Sequence, residues 1–368
     1  MRIFISVTLT LITLFFGPTL IAKQQPAWTH YGLRPLGMGN AFVAVADDFN
    51  ALFYNPAGLA RLDTWDAELI NPTLKWSAEA QGLVEDFQDL GGTSETLELI
   101  EKNTGESQMF GLNLTPHLVF RNFGFGLGVD VELSMIFHRD ISVDVQSGVT
   151  VIMPFSFAFN LLDDRLSLGF SIKARAFGGV DREFSMEDIE ALGDNNDSDT
   201  TNDDTQELSD FVLGGLGVGT DFGLLFTPTK TLEPTIGLSI TDFGGTAYEE
   251  ANISGEALGA PPVVLPSVNV GLSLKPYKKN RSYVTTAIDM HSINHPYSFS
   301  QKLQLGVEYG YGQFFKVQGG LYKGYPTAGL QLDVGIINLR LVTYAEEIGS
   351  VAGYQPSRRY ALQIKLLF

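Results

Sequence analysis

Asp289, His291, Ser292 and His295 bring a carboxylate, two imidazoles and a hydroxyl close together in sequence, as a hydrolase site would need. Neither a nucleophile elbow nor a zinc-ligand spacing surrounds them, and a strand end running into a loop accounts for their polarity. The run Gly214-Gly215-Leu216-Gly217-Val218-Gly219 lacks the GxGxxG spacing of a nucleotide loop, and no helical pattern follows it. Asp194, Asp197, Asp199, Asp203 and Asp204 lack the calcium-loop spacing and its central glycine, so they read as a solvated acidic loop. The chain has no cysteine, which removes disulfides, thiolate metal sites and cysteine nucleophiles. No enzyme activity, metal or cofactor is expected from these residues.

The elements that would position such residues are almost all strands. Alternating apolar and polar runs cover roughly 65–76, 109–121, 123–138, 149–161, 165–177, 211–226, 233–244, 266–276, 282–291, 298–310, 312–323, 325–335, 336–346 and 356–368. Each is near the ~9–11 residues that a tilted strand needs to cross a bilayer, or somewhat longer. Every second connection is short, and those between are mostly long: 77–108, 139–148, 178–210, 245–265, 292–297 and 347–355, with a brief turn at Gly324. Sorting by parity is expected of a membrane barrel with short turns at one end and long loops at the other. In 123–138 one face carries Phe125, Leu127, Val129, Val131, Leu133 and Met135, and the other Gly124, Gly126, Gly128, Asp130, Glu132 and Ser134. Lipid outside and polar groups inside require that arrangement. The expected fold is all-β: a transmembrane 14-stranded antiparallel β-barrel.

The net charge of −18 is carried wholly by two stretches, 78–107 and 181–210, and the remainder is neutral. With no basic surface to neutralise phosphates, nucleic acid is not an expected partner. The first stretch includes Leu83, Phe87, Leu90, Leu97, Leu99 and Ile100, which suit a short amphipathic helix. Predicted inward faces carry Asp130, Glu132, Lys173, Arg175, Asp221, Glu308, Asp333 and Arg340, a lumen more polar than a greasy tunnel.

Three regions follow. Residues 1–22 pair one arginine with a short apolar core and read as a secretory signal peptide. Residues 23–64 form a compact apolar segment that behaves as a plug, or hatch, in the lumen of the barrel at 65–368. Phe42, Val43, Val45, Phe49, Leu52 and Phe53 recur at spacings of three and four, which predicts one short helix that Asp47 or Asp48 caps. Asn55-Pro56-Ala57-Gly58 predicts a tight turn, with Asn55 bonding its own backbone and Pro56 fixing φ. The bare inner faces at Gly215, Gly217, Gly219 and Gly223, and at Gly124, Gly126 and Gly128, are expected to make room for this plug.

The wording GMGNAFVAVADD (37–48) and NALFYNPAGLA (50–60) closely resembles the N-terminal region of the FadL superfamily, which includes long-chain fatty-acid transporters and PorV-type proteins. TYAEEIGSVAGYQPSRRY (343–360) resembles the last hairpin of the PorV-type branch. Tyr360, Leu362, Ile364, Leu366 and Phe368 resemble the C-terminal signal by which outer-membrane barrels are inserted. The resemblance implies a hatch-plugged barrel in the bacterial outer membrane, in contact with membrane lipid, lipopolysaccharide and the barrel-assembly machinery. It implies two functions. One is passage of hydrophobic small molecules such as long-chain fatty acids, with exit through a lateral gap. The other is a PorV-type scaffold for secretion or assembly that binds partner proteins. For passage, Phe42, Val45, Phe49, Phe53 and Tyr54 are the expected ligand contacts, and Asn55, Pro56, Ala57 and Gly58 the turn that positions them.

Overall fold

The structure, a computed structural model, describes residues 32–80, 101–138, 142–185, 187–188, 211–253, 256–335, 337–348 and 353–366. The predicted signal peptide, the amphipathic stretch at 81–100, the aspartates of 194–204 and Phe368 lie outside the described residues.

Fourteen spans form one antiparallel sheet closed on itself. They are β1 (Asp66–Glu68 and Thr73–Ser77), β2 (Ser107–Leu114 and His117–Phe120), β3 (Phe123–Gly126 and Gly128–Phe137), β4 (Val143–Leu161), β5 (Leu166–Phe184), β6 (Leu213–Phe226) and β7 (Thr235–Thr241). The circuit continues through β8 (Ser267–Lys279), β9 (Ser282–Met290), β10 (Leu303–Tyr311), β11 (Phe315–Tyr322), β12 (Tyr325–Asp333), β13 (Ile337–Glu347) and β14 (Pro356–Leu366). Thr73–Ser77 of β1 pairs with Gln363–Arg359 of β14, which closes the barrel and abolishes its edges. Trp76 stacks on Tyr360 across that seam, with ring centroids 5.9 Å apart. Tyr360 and Leu362 are half-buried and Ile364 exposed on the outer face of β14, whose inner face carries Ser357, Ala361 and Gln363.

Alternation predicts the spans because each side chain has one medium outside and another inside. Phe155, Phe157 and Phe159 of β4 are exposed outward, whereas Ser156 and Ala158 between them are buried. Strands β4 and β5 run to 19 residues each, past the predicted 149–161 and 165–177, so their upper ends extend beyond the ~9–11 residues a crossing needs. The predicted run 298–310 begins instead with a helical turn at Phe299–Lys302, because Ser298 and Gln301 form a capping box.

Three predicted continuous strands are interrupted. β1 breaks at 69–72, β2 at Thr115-Pro116 and β3 at Leu127. Pro116 has no N–H to give the ladder. Asn71 stitches the gap: its Oδ1 accepts from Thr115 N at 2.7 Å and its Nδ2 donates to Thr115 O at 2.8 Å. The ladder between β3 and β4 is also interrupted, passing from Phe125↔Phe155 to Gly128↔Ile152, where β4 carries Pro154.

Candidate functional site

Residues 32–62 fill the lumen and are nearly all buried. They are not one helix over 42–53. Short helices at Leu33–Gly37 and Ala51–Tyr54 and a 3₁₀ turn at Pro56–Arg61 are separated by left-handed residues Gly39, Asn40 and Ala46. Left-handed residues end a helix, so the apolar spacing here reflects a coiled segment packed on several sides. Neither aspartate caps a helix. Asp48 Oδ1 accepts from Asn50 N at 2.9 Å, and both carboxylates turn to Arg34.

Asn55 performs the predicted turn and more. Its Oδ1 accepts from Ala57 N at 3.2 Å, and Pro56 opens the 3₁₀ turn. Its Nδ2 donates to Val43 O within the hatch and reaches Leu224 O and Leu238 O on the wall. Gly58 is required where it stands, because a Cβ would lie 1.9 Å from Ala46 O. Phe42 meets Tyr54 edge-on at 5.5 Å, and Tyr54 donates its hydroxyl to Asn40 Oδ1 at 2.6 Å. Phe49 stacks on His117 of β2 at 3.9 Å, Val45 is buried, and Phe53 packs half-buried against the same cluster. The five expected ligand contacts are thus brought together as the hatch's own core.

The wall meets the hatch through glycines. A Cβ on Gly169 would lie 2.2 Å from Ala57 N, on Gly223 2.1 Å from Asn55 Oδ1, on Gly306 2.4 Å from Met38 O, and on Gly320 2.5 Å from Gly39 N. Gly124 and Gly126 face Leu52 and Leu59. The expectation that bare inner faces receive the hatch holds there and at Gly223. It fails at Gly215, Gly217 and Gly219, where the space is taken by Thr246, Tyr248 and Pro261 of the long connection after β7. Asp242, left-handed at the start of that connection, binds Lys173 and Arg175 and so folds the following turn inward over β6. Sequence reasoning missed this because a glycine face says only that space exists, not what fills it.

Most of the predicted inward charges meet an opposite charge. Lys75 meets Asp130 at 2.7 Å and Glu132 at 3.1 Å, Lys173 meets Asp221 at 2.7 Å, and Arg340 lies 4.0 Å from Glu68, which also pairs with Lys365. Asp333 accepts from Gly335 N and from Asn338 Nδ2. Three further anchors had no local signal. Arg34 reaches Glu308, Val43 N donates to Asp289 Oδ2 at 2.7 Å, and Gly39 N donates to Thr327 Oγ1 at 3.0 Å. Asp289 and His291, candidates for a hydrolase site by sequence, are 3.3 Å apart, and Asp289 holds the hatch through Val43 N. Burial would raise the Asp47 carboxyl, but the Arg34 guanidinium at 2.6 Å, with Lys275 beyond it, lowers it to about 2.

Two polar chambers flank the hatch. One of about 900 Å³, on the short-turn side, is lined by residues including Asp47, Arg61, Glu233, Lys275 and Lys316. One of about 470 Å³, on the long-loop side, has Asn40 as its floor beneath Lys75, Tyr344 and Arg359. The apolar material lies between them and to one side. Phe49, Leu52, Leu59, Leu62, Val119 and Ala158 form one buried cluster. It sits directly behind the interrupted patch of wall, with Leu52 against Gly124 and Gly126 and Phe49 against His117.

Solved structures share this architecture. The toluene transporter TbuX of Ralstonia pickettii is similar at a TM-score of 0.52 and 13% identity, over 92% of this chain and 98% of that one. The toluene transporter TodX of Pseudomonas putida is similar at 0.50 and 13%, over 93% and 98%. No protein-family model and no curated protein matches the sequence. At such identity the likeness is one of fold: a closed barrel of fourteen antiparallel strands.

Proposed function

We propose that the protein sits in the bacterial outer membrane and lets small hydrophobic molecules pass, leaving the lumen sideways through the interrupted patch of β1 to β4. The observation that carries this reading is the apolar cluster of Phe49, Leu52 and Leu59 placed behind that patch. Charged side chains stand in the lining of both chambers, whereas this cluster is wholly apolar, so an apolar solute packed against it gains about 25 cal/mol per Å² buried. On the lipid side of the patch stand Phe120, Phe125, Phe155 and Phe157, all exposed. A solute crossing from the cluster to those rings meets a wall held by the Asn71–Thr115 bonds in place of continuous strand pairing. Toluene transporters with the same fold support the solute class. Fatty acids, the example implied by the hatch wording, are a narrower case within it.

The test is uptake of radiolabelled toluene by cells with and without the protein, at concentrations where diffusion across lipopolysaccharide is slow. Protein-dependent uptake is expected, and it should fall when Leu52 and Leu59 are replaced by Asn. Uptake that never depends on the protein contradicts passage. It would favour a PorV-type scaffold, whose needs a closed hatch between two polar chambers also meets.

A further inference from the structure

Connections 227–234 and 275–281 meet at the short-turn end, where Lys275 N donates to Leu232 O. They carry Lys230, Lys275, Lys278, Lys279 and Arg281 against one acid, Glu233. Glu233 is already held by Lys275 at 3.1 Å and Lys278 at 2.8 Å. Lys230, Lys279 and Arg281 are exposed and make no ion pair among the described residues. A β-bulge aims part of this charge at the membrane. Between Leu274 and Tyr277, where Pro276 has no N–H to give the ladder, β8 gains one residue over β9. Tyr277 thereby joins a row with Val284 and Tyr309, and Lys279 the next row with Ser282 and Tyr311. Directly paired residues share a face, and Tyr277, Tyr309 and Tyr311 are exposed on the outside of the wall. Aromatic rings in such a girdle mark the headgroup level of a bilayer. Lys279 therefore stands on the lipid side at headgroup depth, with Arg281 at the hairpin tip beside it.

The same face carries a groove of about 450 Å³ between Thr286, Ile288, Leu305, Val307 and Leu321. Gly319 opens it, since a Cβ there would meet nothing closer than 3.9 Å. Thr286 and Ile288 lie on β9 about 13 and 20 Å from Ser282, at ~3.3 Å per residue. With the tilt of barrel strands, that reach falls within one leaflet of a ~30 Å hydrocarbon core.

We infer that the lipid-facing side of β8 to β11 is a binding site for an anionic glycerophospholipid of the leaflet at the short-turn end. Lys279 and Arg281 hold its phosphate, and one acyl chain lies in the groove at Gly319. The one acid of these turns is neutralised by Lys275 and Lys278, so it does not repel the headgroup. The inference rests on the proposed function only for the placement of the barrel in the outer membrane, and it needs no solute to pass.

The test is native mass spectrometry of the full-length protein in detergent micelles, titrated with phosphatidylglycerol, phosphatidylethanolamine and lipid A. Each cation near an anionic headgroup contributes about fivefold, so phosphatidylglycerol should be retained at least about tenfold more tightly than phosphatidylethanolamine. Lys279→Ala combined with Arg281→Ala should abolish that preference. Gly319→Leu fills the groove and should weaken both phospholipids about fivefold with their ratio unchanged. Both variants alter the outer face alone, and heat-modifiable migration reports that the barrel is folded. Equal retention of the two phospholipids, indifference to the cation variant, or tighter binding of lipid A overturns the inference. Displacement of phosphatidylglycerol by an equal concentration of soluble glycerol 3-phosphate also overturns it, because the groove would then add nothing. A folded protein that fractionates with the outer membrane yet shows no preference sinks this inference alone. Phosphatidylglycerol selectivity without protein-dependent toluene uptake sinks passage and leaves the lipid site standing.

Discussion

Arg34, in the first turn of the hatch, donates Nε and Nη2 to the two oxygens of Glu308 on β10, each at 2.8 Å, while its Nη1 meets Asp47 and Asp48. One guanidinium thus binds the plug to itself and to the barrel. Removing one partner of a buried pair leaves the other charge uncompensated, at about 3–5 kcal/mol. Arg34→Ala and Glu308→Ala should each speed amide exchange across 36–54 and leave the barrel strands protected. The double variant should cost less than the sum of the two. Simple additivity would show that the pair is incidental.

The glycines that face the hatch make a sharper set. Gly169→Ala and Gly223→Ala each place a methyl within about 2.2 Å of hatch atoms, so the hatch must move. Both should raise leakage of small sugars through reconstituted barrels. Gly178→Ala, where nothing lies within 4 Å, should not. Equal leakage from all three would deny that the hatch seals against these positions.

Acid provides a check on the Arg34–Asp47 contact. A carboxyl lowered to about 2 in the folded state, against about 3.9 unfolded, adds stability that is fully present above the unfolded value. That stability is lost as pH falls toward 2. Hatch protection should therefore be flat from pH 7 to 4 and decline between about 4 and 2, and Asp47→Asn should remove this share of the decline. A loss of protection already at pH 5 to 6 would assign the titration to other groups.

Phe49 divides the two readings of the hatch. Burying its ring is worth about 1.5–3 kcal/mol. Phe49→Ala should therefore loosen the stack on His117 and raise leakage of polar solutes, whatever the protein carries. If passage is the function, hydrocarbon uptake should also change, by several-fold. A change in leakage alone would make the ring a seat for the plug.

Much of the barrel was legible in the chain because strand alternation is local: each residue of Val149–Phe159 reports its own side of the wall. The turn at Asn55-Pro56 was legible for the same reason. The breaks in β1 and β2 were not, since Asn71 and Thr115 repair each other across 44 residues of sequence. The hatch anchors are more distant still, with 246 residues between Val43 and Asp289. A sequence signal did exist in the inward-register glycines at 169, 237, 271, 306, 320 and 329, which together mark a wall built to be approached by backbone.

Photolabelling tests the central claim most directly. Membranes holding the full-length protein would be equilibrated with a diazirine-bearing toluene analogue, irradiated, and the labelled peptides mapped by mass spectrometry. The account predicts label on the hatch around Phe49, Leu52 and Leu59 and on the wall at His117 to Gly126, competed away by unlabelled toluene. Label confined to outward residues such as Phe157 and Phe159, with none on the hatch and no competition, would contradict it.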